Sequence, residues 1–434
     1  MRLMYNINDY FFEVTNMITL TEQFEAKDSF DVIVAGAGVA GVSAAVAAAR
    51  CGKRVMLIEK NVILGGLATS GLIDLFVPMC NGRGVKIIKG MCDEFVRTAI
   101  KYGYDTIPDD WKSGGDTADT NERYHTHYSP SIFALALAKL LDDEGVELFY
   151  DTVVSSPVME GGHCKGLILE SKSGREYYEG KIIIDTTSDA DILYRAGVPT
   201  VDGKNFFSYV AYGTTLETCK RAADEKNIGA LQFWTMGGEA TLYGTNQREG
   251  ERLYKGTTKE DVTEYVVRNQ LALLEKVAKK DRNSYDITIL PTMPQFRTTR
   301  RLDGDYTLTV DDAYRHFDDS VAAVCDFDRR DYLFEIPYRT LVRKGYDNLI
   351  TAGRSASGEG YAWDVIRVIP PAILTGQAAG NAAAMALEYG CSICDIDVAA
   401  LQNKLEEQNV MIHFDDALVP GEEREDAHED IGHI

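Results

Sequence analysis

The feature that most constrains the fold of this chain is a glycine-rich turn that joins an apolar strand to a helix of small residues. An apolar run at residues 31–35 leads into Gly-Ala-Gly-Val-Ala-Gly at 36–41, an alanine-rich segment continues to residue 51, and a second apolar run ends at Glu59. Two apolar strands joined by a helix within about 30 residues predict a βαβ unit, the smallest piece of a parallel sheet. The expected fold class is therefore α/β.

The three glycines of this turn occupy positions that suit contact with a dinucleotide. Gly36 permits the tight turn, Gly38 lets the backbone approach a pyrophosphate, and Gly41 lets the helix pack closely on the sheet. The helix N-terminus offers free N–H groups to a phosphate. Glu59, 18 residues after Gly41, suits hydrogen bonds from both ribose hydroxyls and disfavours the 2′-phosphate of NADP. Because strand, turn, helix and acid follow in the expected order, we favour a dinucleotide site over glycines that serve packing alone.

The charge of the chain excludes several kinds of partner. The sequence has 434 residues, with 67 acidic and 45 basic side chains, which gives a formal net charge of −22. A nucleic acid or an anionic membrane surface is bound by a basic stripe, which so acidic a chain does not favour. We therefore expect neither as a partner, although local donors can still hold a small anion.

The cellular location is predicted from targeting signals and cysteine usage. Asp9 and Glu13 stand where a signal peptide would need an uninterrupted apolar core, and no run reaches the roughly 18 apolar residues of a membrane span. Eight cysteines are spread from Cys51 to Cys394, which is typical of reduced thiols rather than of a disulfide framework. We expect a soluble, cytoplasmic protein.

The chain is expected to form a discontinuous first domain that is interrupted by a second. The predicted segments are an N-terminal arm (1–29), a Rossmann-like nucleotide-binding domain (30–199 and 335–400), an inserted α+β substrate domain (200–334), and a C-terminal helix with an acidic tail (401–434). In the first domain we expect a parallel sheet with helices on one face and an antiparallel excursion that turns at residues 172–174. In the second, Asp303 and Gly304 predict a hairpin turn.

Five blocks of sequence resemble a known group of flavoproteins. They are DVIVAGAGVAG (31–41), LGGLATSG (64–71), GMCDEF (90–95), RTTRRLDGDYTLTVDD (297–312), and the segment 335–384 that contains DNLITAGRSAS and IRVIPPAILTGQAAGNAAA. The glycine pair directly after the second strand suits a loop beside a bulky ligand rather than a simple nicotinamide enzyme. In this order the blocks resemble the bacterial FAD-dependent oxidoreductase family of the glutathione-reductase-like (two-dinucleotide-fold) superfamily.

The resemblance implies a non-covalently bound FAD. It places Gly353 and Arg354 at the ribityl chain and phosphates, and the helix that starts near Pro370 at the pyrimidine end of the isoalloxazine. A helix N-terminus there stabilises the negative charge of reduced flavin. Val153 is predicted to contact adenine through its backbone, with a plain core strand as an equal alternative. The predicted FAD contacts are Gly36, Ala37, Gly38, Val39, Ala40, Glu59, Lys60, Gly65, Gly66, Leu67, Ala68, Thr69, Val153, Thr186, Gly353, Arg354, Arg367, Ile369, Pro370 and Ala372.

The chain departs from the family pattern after the strand near Ile184. The family has Thr-Gly-Asp there, whereas this chain has Thr187, Ser188 and Asp189. Serine adopts a positive φ less readily than glycine does. The geometry of this loop, and any phosphate contact that it makes, are therefore open at this point.

Candidate catalytic residues are Arg367, Arg300 and His127. Arg367 precedes Pro370 by three residues, where the resemblance brings it near flavin or substrate. Arg300, like its neighbour Arg297, suits either an anion clamp for a substrate carboxylate or ion pairs with the aspartates that follow it. His127 suits a general base, with ordinary packing as the alternative. The two histidines at 125 and 127 are too few for a metal site, so no metal is expected.

The predicted reaction is hydride transfer between a small organic substrate and flavin N5. Oxidation of a C–OH or C–N bond and reduction of an activated C=C bond, as in fumarate-reductase-like flavoproteins, both remain open. A non-redox FAD-binding protein is the alternative outside enzymes. The chain lacks the cysteine pair and the second nucleotide fingerprint of disulfide reductases. The expected electron partner is therefore another protein, dioxygen, or NAD(P)H that enters the same pocket, and the sequence leaves the oligomeric state open.

Overall fold

A computed structural model describes residues 21–420, so the predictions for residues 1–20 and for the tail at 421–434 lie outside the described residues. The strands are β1 (Ala26–Ala35), β2 (Val55–Ile58), β3 (Leu75–Phe76), β4 (Thr126–His127), β5 (Glu147–Phe149), β6 (Val153–Glu160), β7 (His163–Ser171), β8 (Gly174–Asp185), β9 (Thr200–Asp202), β10 (Ser208–Thr215), β11 (Phe233–Glu239), β12 (Tyr285–Ile289), β13 (Arg300–Leu302), β14 (Ser320–Cys325), β15 (Leu333–Pro337) and β16 (Leu349–Thr351). The α-helices are α1 (Val39–Arg50), α2 (Met91–Ile100), α3 (Pro130–Asp143), α4 (Asp191–Arg195), α5 (Leu216–Glu225), α6 (Lys259–Val277), α7 (Gly360–Ile366), α8 (Ile369–Tyr389) and α9 (Val398–Glu407).

A seven-stranded sheet carries the glycine turn. Its strands follow the order β5-β2-β1-β8-β7-β6, and β16 also pairs with β8. Strands β5, β2, β1, β8 and β16 are parallel, with Val32 opposite Val55 between β1 and β2. Strands β6, β7 and β8 are antiparallel, and Ser171 pairs with Gly174 across the β7–β8 turn. The α/β fold class, the βαβ unit and the antiparallel excursion are therefore confirmed.

Helix α8 packs directly against helix α1 beside this sheet. A Cβ on Gly376 would lie 2.2 Å from the carbonyl oxygen of Ala40, and one on Gly380 would lie 2.2 Å from that of Ala44. Only glycine lets the two backbones approach so closely, so both glycines serve helix packing. Although α8 is apolar and long, no helix within residues 21–420 has the length and hydrophobicity that a membrane span requires.

The inserted segment builds a second, antiparallel sheet in the order β11-β10-β12, on which α6 packs. Tyr209 and Ala211 of β10 form a small core with Leu273 of α6. The predicted hairpin turn at Asp303 and Gly304 is wrong, because β13 pairs with the distant strand β9 and the Asp303 N–H donates to the carbonyl oxygen of Pro199 at 3.0 Å. The Asp-Gly signal is local, whereas the partner of this strand comes from about 100 residues earlier.

Candidate functional site

The glycine turn between β1 and α1 has the geometry of an anion-binding loop. Gly36 has a φ of 99°, and a Cβ on it would lie 2.5 Å from the carbonyl oxygen of Thr186. A Cβ on Gly41 would lie 1.9 Å from the carbonyl oxygen of Gly36. A Cβ on Gly38, by contrast, would meet no protein atom within 4 Å, and no side chain caps the N-terminus of α1. The turn therefore leaves open space exactly where the first N–H groups of α1 are free.

Glu59 supports this turn from the end of β2. Its buried carboxylate accepts hydrogen bonds from the Ala37 N–H at 2.9 Å and from the Asn61 N–H at 2.8 Å. A carboxylate offers about four acceptor positions, so both oxygens keep capacity for ribose hydroxyls. The exposed Lys60 follows, and the Thr152 N–H donates to the carbonyl oxygen of Glu59 at 3.2 Å. This contact brings the start of β6 next to Glu59.

Val153, the first residue of β6, is not a core residue. Its side chain is 49% exposed, so the plain core-strand alternative does not describe it. The backbone contact of Val153 with adenine stays a prediction. The position of Val153, next to Thr152 and therefore near Glu59, is compatible with such a contact.

The second glycine loop packs on the first. The Gly65 N–H donates to the carbonyl oxygen of Ala37 at 2.8 Å, and a Cβ on Gly66 would lie 3.1 Å from the Cα of Gly38. Gly65 and Gly66 have φ values of 96° and 56°. The loop continues as a short 3₁₀ turn, Gly66–Ala68, and the Thr69 hydroxyl donates to the carbonyl oxygen of Leu64. Residues 64–69 thus form one rim of the open space beside Gly38.

The segment that follows β16, here called the late return of the chain, borders the same open space beside Gly38. Gly353, with a φ of 74°, follows β16, and its N–H donates to the Thr375 hydroxyl at 2.9 Å. A Cβ on Gly353 would lie 2.9 Å from the Cβ of Ala40 and 3.6 Å from that of Ala372. Helix α8 begins here at Ile369, with proline in its first turn and no side-chain cap. Two helix N-termini and two glycine loops therefore meet at one site.

Arg354 binds protein groups instead of pointing into this space. Its Nε donates to the carbonyl oxygen of Ser188 at 3.0 Å, one Nη pairs with Asp189 at 2.6 Å, and the other donates to the carbonyl oxygen of Phe296. The predicted contact of this position with FAD stays a prediction, and the guanidinium group is engaged by the protein. Ser188 has a φ of 71°, so this loop adopts the conformation that glycine would adopt, and Arg354 holds it there.

Thr186, another predicted contact, is also engaged by the protein. Its hydroxyl donates to the carbonyl oxygens of Ala35 and Gly36 at 3.0 and 2.7 Å. Thr186 therefore fixes the conformation of the glycine turn and is a positioning residue.

These residues fit the parts of FAD. The open space at Gly38 and the free N–H groups of α1 suit the pyrophosphate, and Glu59 suits the ribose. The uncapped N-terminus of α8 suits the pyrimidine edge of the flavin, where negative charge collects on reduction. The individual contacts of the predicted residues remain predictions.

Strand β10 of the β11-β10-β12 sheet forms a wall beside the second glycine loop. The Gln295 Nε2 donates to the carbonyl oxygens of Gly71 and Val210, and its Oε1 accepts from the Val210 N–H at 2.7 Å. Ser208 and Tyr212 lie two residues before and two residues after Val210 on this strand, which has an irregular register between Ser208 and Val210. Four residues span about 13 Å along a strand, so the two ends of this wall offer separate chemistry.

Arginines gather at the Ser208 end of the wall. Arg297 donates to the carbonyl oxygen of Ala240 and to the Ser208 hydroxyl, both at 3.3 Å, and no carboxylate within residues 21–420 forms an ion pair with it. Desolvation, and secondly the positive charge of Arg367, lower the pKa of Arg297 to about 10. Arg367 itself pairs with Asp364 at 2.7 Å. Arg367 thus has a carboxylate partner and Arg297 has none among residues 21–420, an arrangement that suits an anion.

A carboxylate and an imidazole meet at the Tyr212 end. Asp74 accepts a hydrogen bond from the Trp234 Nε1 at 3.0 Å, and its second oxygen lies 3.5 Å from the His127 Nδ1. Burial and the charge of Asp74 raise the pKa of the Tyr212 hydroxyl. His125 is not part of this group, since its Nδ1 contacts the carbonyl oxygen of Arg123. A histidine oriented by a buried carboxylate suits proton transfer.

Arg300 is the one predicted catalytic residue that the structure places elsewhere. Its guanidinium lies 3.4 Å from Asp191, 3.5 Å from Asp202 and 4.0 Å from the centre of the Tyr194 ring. The β9–β13 pairing delivers Asp202, so the acids come from distant segments and not from the aspartates that follow Arg300. These contacts agree with the ion-pair alternative for Arg300, although with other acids than expected, and its catalytic role stays a prediction.

Sequence reasoning missed Asp74, Tyr212, Trp234, Ser208 and Gln295. Asp74 had a signal, because it lies three residues beyond the LGGLATSG block. The other four lie in the inserted domain, where no motif marks them.

Comparison with known proteins gives the family. The sequence pattern of the family described as FAD dependent oxidoreductase matches residues 31–215 and 211–405. Among solved structures, the chain is similar to a geranylgeranyl bacteriochlorophyll reductase-like protein from Thermoplasma acidophilum, with 14% identity over 88% of this chain and 83% of that chain and a TM-score of 0.41. It is also similar to p-nitrophenol 4-monooxygenase from Pseudomonas putida, with 12% identity over 90% of this chain and 91% of that chain and a TM-score of 0.46.

No curated protein sequence matches the chain. The family match nevertheless extends over most of its length and includes both glycine loops and the late return. FAD is accordingly the cofactor, as expected from the sequence. The chain belongs to the FAD dependent oxidoreductase family.

Proposed function

We propose that this enzyme exchanges a hydride between a small organic anion and FAD, with the substrate held between the glycine loops and strand β10. The observation that carries the proposal is the pair Arg297 and Arg367: among residues 21–420, Asp364 pairs with Arg367 and no carboxylate pairs with Arg297. A substrate carboxylate would receive charge-assisted hydrogen bonds from this pair and would offset the repulsion between the two guanidinium groups.

FAD would be held non-covalently by the N-termini of α1 and α8, by the glycine loops and by Glu59. When bound, the flavin supplies a two-electron acceptor or donor. The protein supplies position. Gln295 links Gly71, just after the second glycine loop, to Val210 of β10, and this contact fixes the separation between the loop and the wall.

His127 would handle the proton that accompanies the hydride. In an oxidation, a substrate carbon gives up the hydride while His127 accepts the proton of the attached O–H or N–H group; in a reduction of a C=C bond, both transfers run in reverse. Asp74 keeps the imidazole oriented. The arginines and His127 lie at opposite ends of the wall, so a substrate with its carboxylate at one end presents its reacting carbon towards the other.

The test is a substrate screen on the FAD-loaded protein under anaerobic conditions, with flavin absorbance as the readout. Hydroxy acids, amino acids and α,β-unsaturated acids are compared with their neutral amides. We expect turnover or a spectral shift with a carboxylate and at least ten times weaker binding of its amide. If no compound changes the flavin spectrum, or if amides bind as well as acids, the proposal is wrong.

A variant pair localises the anion site. Arg297→Gln removes a charge-assisted hydrogen bond worth about 1.5–3 kcal/mol, so the Kd of the anion should rise about 10–150-fold. Arg339→Gln is the matched control, since Arg339 lies on the surface and pairs with Asp319 at 2.8 Å. An equal effect of both substitutions would show that general charge, and not this pair, attracts the anion.

The proposed location is the cytoplasm. All eight cysteines are free thiols, which supports a reducing compartment. The partner that completes the electron transfer, proposed as a protein, dioxygen or NAD(P)H, can be sought by reoxidation of the reduced enzyme once a substrate is known.

A further inference from the structure

Two histidines and one glutamate converge where the C-terminal segment, residues 408–420, lies beside strand β15. The Nδ1 atom of His316 lies 2.5 Å from one carboxylate oxygen of Glu335, and the Nδ1 atom of His413 lies 3.0 Å from the other. The three ligating atoms all lie within 4.8 Å of one another. The Glu335 side chain is fully buried, whereas those of His316 and His413 are 40% and 45% exposed. The cluster is thus a buried acid covered by two imidazoles that reach solvent.

The charge of Glu335 needs a cation. A buried carboxylate is stable only when a positive charge or several donors compensate it. Its only other donor is the Phe317 N–H at 2.7 Å, and within residues 21–420 no lysine or arginine forms an ion pair with it. The compensating charge is therefore either a proton on an imidazole or a metal ion bound between the three groups.

The partners of His316 fit a metal ion. The other ring nitrogen of His316, Nε2, lies 2.8 Å from Asp416. A metal-ligating histidine characteristically donates its second N–H to a carboxylate, which leaves the first nitrogen free to bind the metal. Two imidazoles and one carboxylate are a ligand set that zinc prefers, whereas Ca²⁺ and Mg²⁺ prefer oxygen ligands alone.

We propose that His316, Glu335 and His413 bind a divalent transition-metal ion of the zinc class, with a fourth position open to solvent. Ligands at about 2.0–2.2 Å from one ion stand more than 3 Å apart, so His316 must move outwards by less than 1 Å, and its partial exposure permits this. The ion would fasten the C-terminal segment to the β14–β15 hairpin. This segment already follows β14, since the Ala323 N–H donates to the carbonyl oxygen of Met411 at 2.6 Å.

The site is separate from the proposed flavin chemistry. None of its residues contacts the glycine loops, and its ligands come from a loop, a strand and the C-terminal segment. Its expected role is structural. A failed substrate screen would consequently say nothing about the metal, and the two proposals can be tested independently.

The experiment uses the full-length, FAD-loaded protein after treatment with a chelator. Titration with ZnCl2, followed by calorimetry, should show one equivalent bound, and the temperature of thermal unfolding should rise with zinc. His316→Ala and His413→Ala, both at partly exposed positions, should each weaken zinc binding at least tenfold, and the double variant should lose the rise in unfolding temperature. Cobalt(II) bound instead of zinc should give a spectrum without a thiolate charge-transfer band.

Two controls exclude other ligands. His163→Ala removes a histidine that pairs with Asp347 at 2.8 Å on the surface and should bind zinc as the parent does. Cys391→Ser combined with Cys394→Ser removes the C-x-x-C pair and should also leave binding unchanged. The proposal is overturned if the protein binds no zinc, if the double histidine variant binds it as tightly as the parent, or if the cysteine variant loses it.

Discussion

A single methyl group at Gly38 tests the cofactor site most directly. Gly38 has a φ of −64° and a ψ of 176°, which alanine adopts without strain, and a Cβ there meets no protein atom within 4 Å. Gly38→Ala should therefore change the free energy of unfolding of the FAD-free protein by less than about 0.5 kcal/mol. With FAD, the methyl group would occupy space that the pyrophosphate needs. Overpacking of this kind costs about 1–3 kcal/mol, which corresponds to a rise of about 5–150-fold in the Kd of FAD.

The assay combines thermal unfolding of the FAD-free protein with a titration that follows flavin fluorescence. Gly115→Ala is the neutral control, because its Cβ would have no contact closer than 3.6 Å. Gly41→Ala is the opposite control, since a Cβ 1.9 Å from the carbonyl oxygen of Gly36 should reduce both stability and FAD binding. If Gly38→Ala binds FAD as tightly as the parent, the pyrophosphate does not pass over Gly38. If it unfolds as readily as Gly41→Ala, the open space at Gly38 is misassigned.

Two further predictions concern buried acids. Glu59→Gln places an NH2 group opposite a backbone N–H donor and removes a charged acceptor, so the Kd of FAD should rise about tenfold or more in the same titration. The control is Glu147→Gln, which alters an exposed partner of Arg54 and should leave the Kd of FAD unchanged. Burial raises the pKa of Asp326, so the folded state holds this proton more tightly than the unfolded state, and stability is lost as the pH rises above about 4 through the folded-state pKa. The side chain of Asp326→Asn does not titrate and keeps an acceptor for the Tyr361 hydroxyl. This variant should unfold at a higher temperature than the parent at pH 8, and the difference between the two unfolding temperatures should shrink towards pH 4. A difference that is constant with pH would contradict this reasoning.

The parts of the fold that the sequence predicted well are those encoded by local rules. The glycine turn, the strand that precedes it and the helix that follows it lie within residues 26–50, and at Gly36 and Gly41 a Cβ would collide with backbone atoms. Helix α3 is similar, because Ser129 caps it through the Ile132 N–H and Pro130 occupies its first turn. Such signals require no knowledge of distant partners.

The substrate side of the site could not be predicted in the same way. Asp74, His127 and Trp234 come from three segments that only the packing of β3, β4 and β11 brings together. The arginines gave a local signal, but their roles depend on strand pairing. The pairing of β13 with β9 places Asp202 beside Arg300, whereas within residues 21–420 no acid forms an ion pair with Arg297. Two arginines three residues apart thus differ in their partners, and the partner of Arg300 comes from about 100 residues away.

The proposed anion site at Arg297 is compatible with a net charge of −22 for the chain. Charges on the surface are screened over about 8 Å at physiological ionic strength, so most of the acidic residues do not act on a buried site. The site is governed instead by its local charge, which consists of two positive guanidinium groups and the one carboxylate of Asp364. Because Arg297 is desolvated, its interactions are stronger than they would be in water. Desolvation of Arg297 destabilises the folded protein while the site is empty, and an anion that pairs with it recovers this energy on binding. The same imbalance that makes Arg297 unfavourable for stability therefore makes it favourable for binding, which is the pattern expected of a ligand site and not of a structural ion pair.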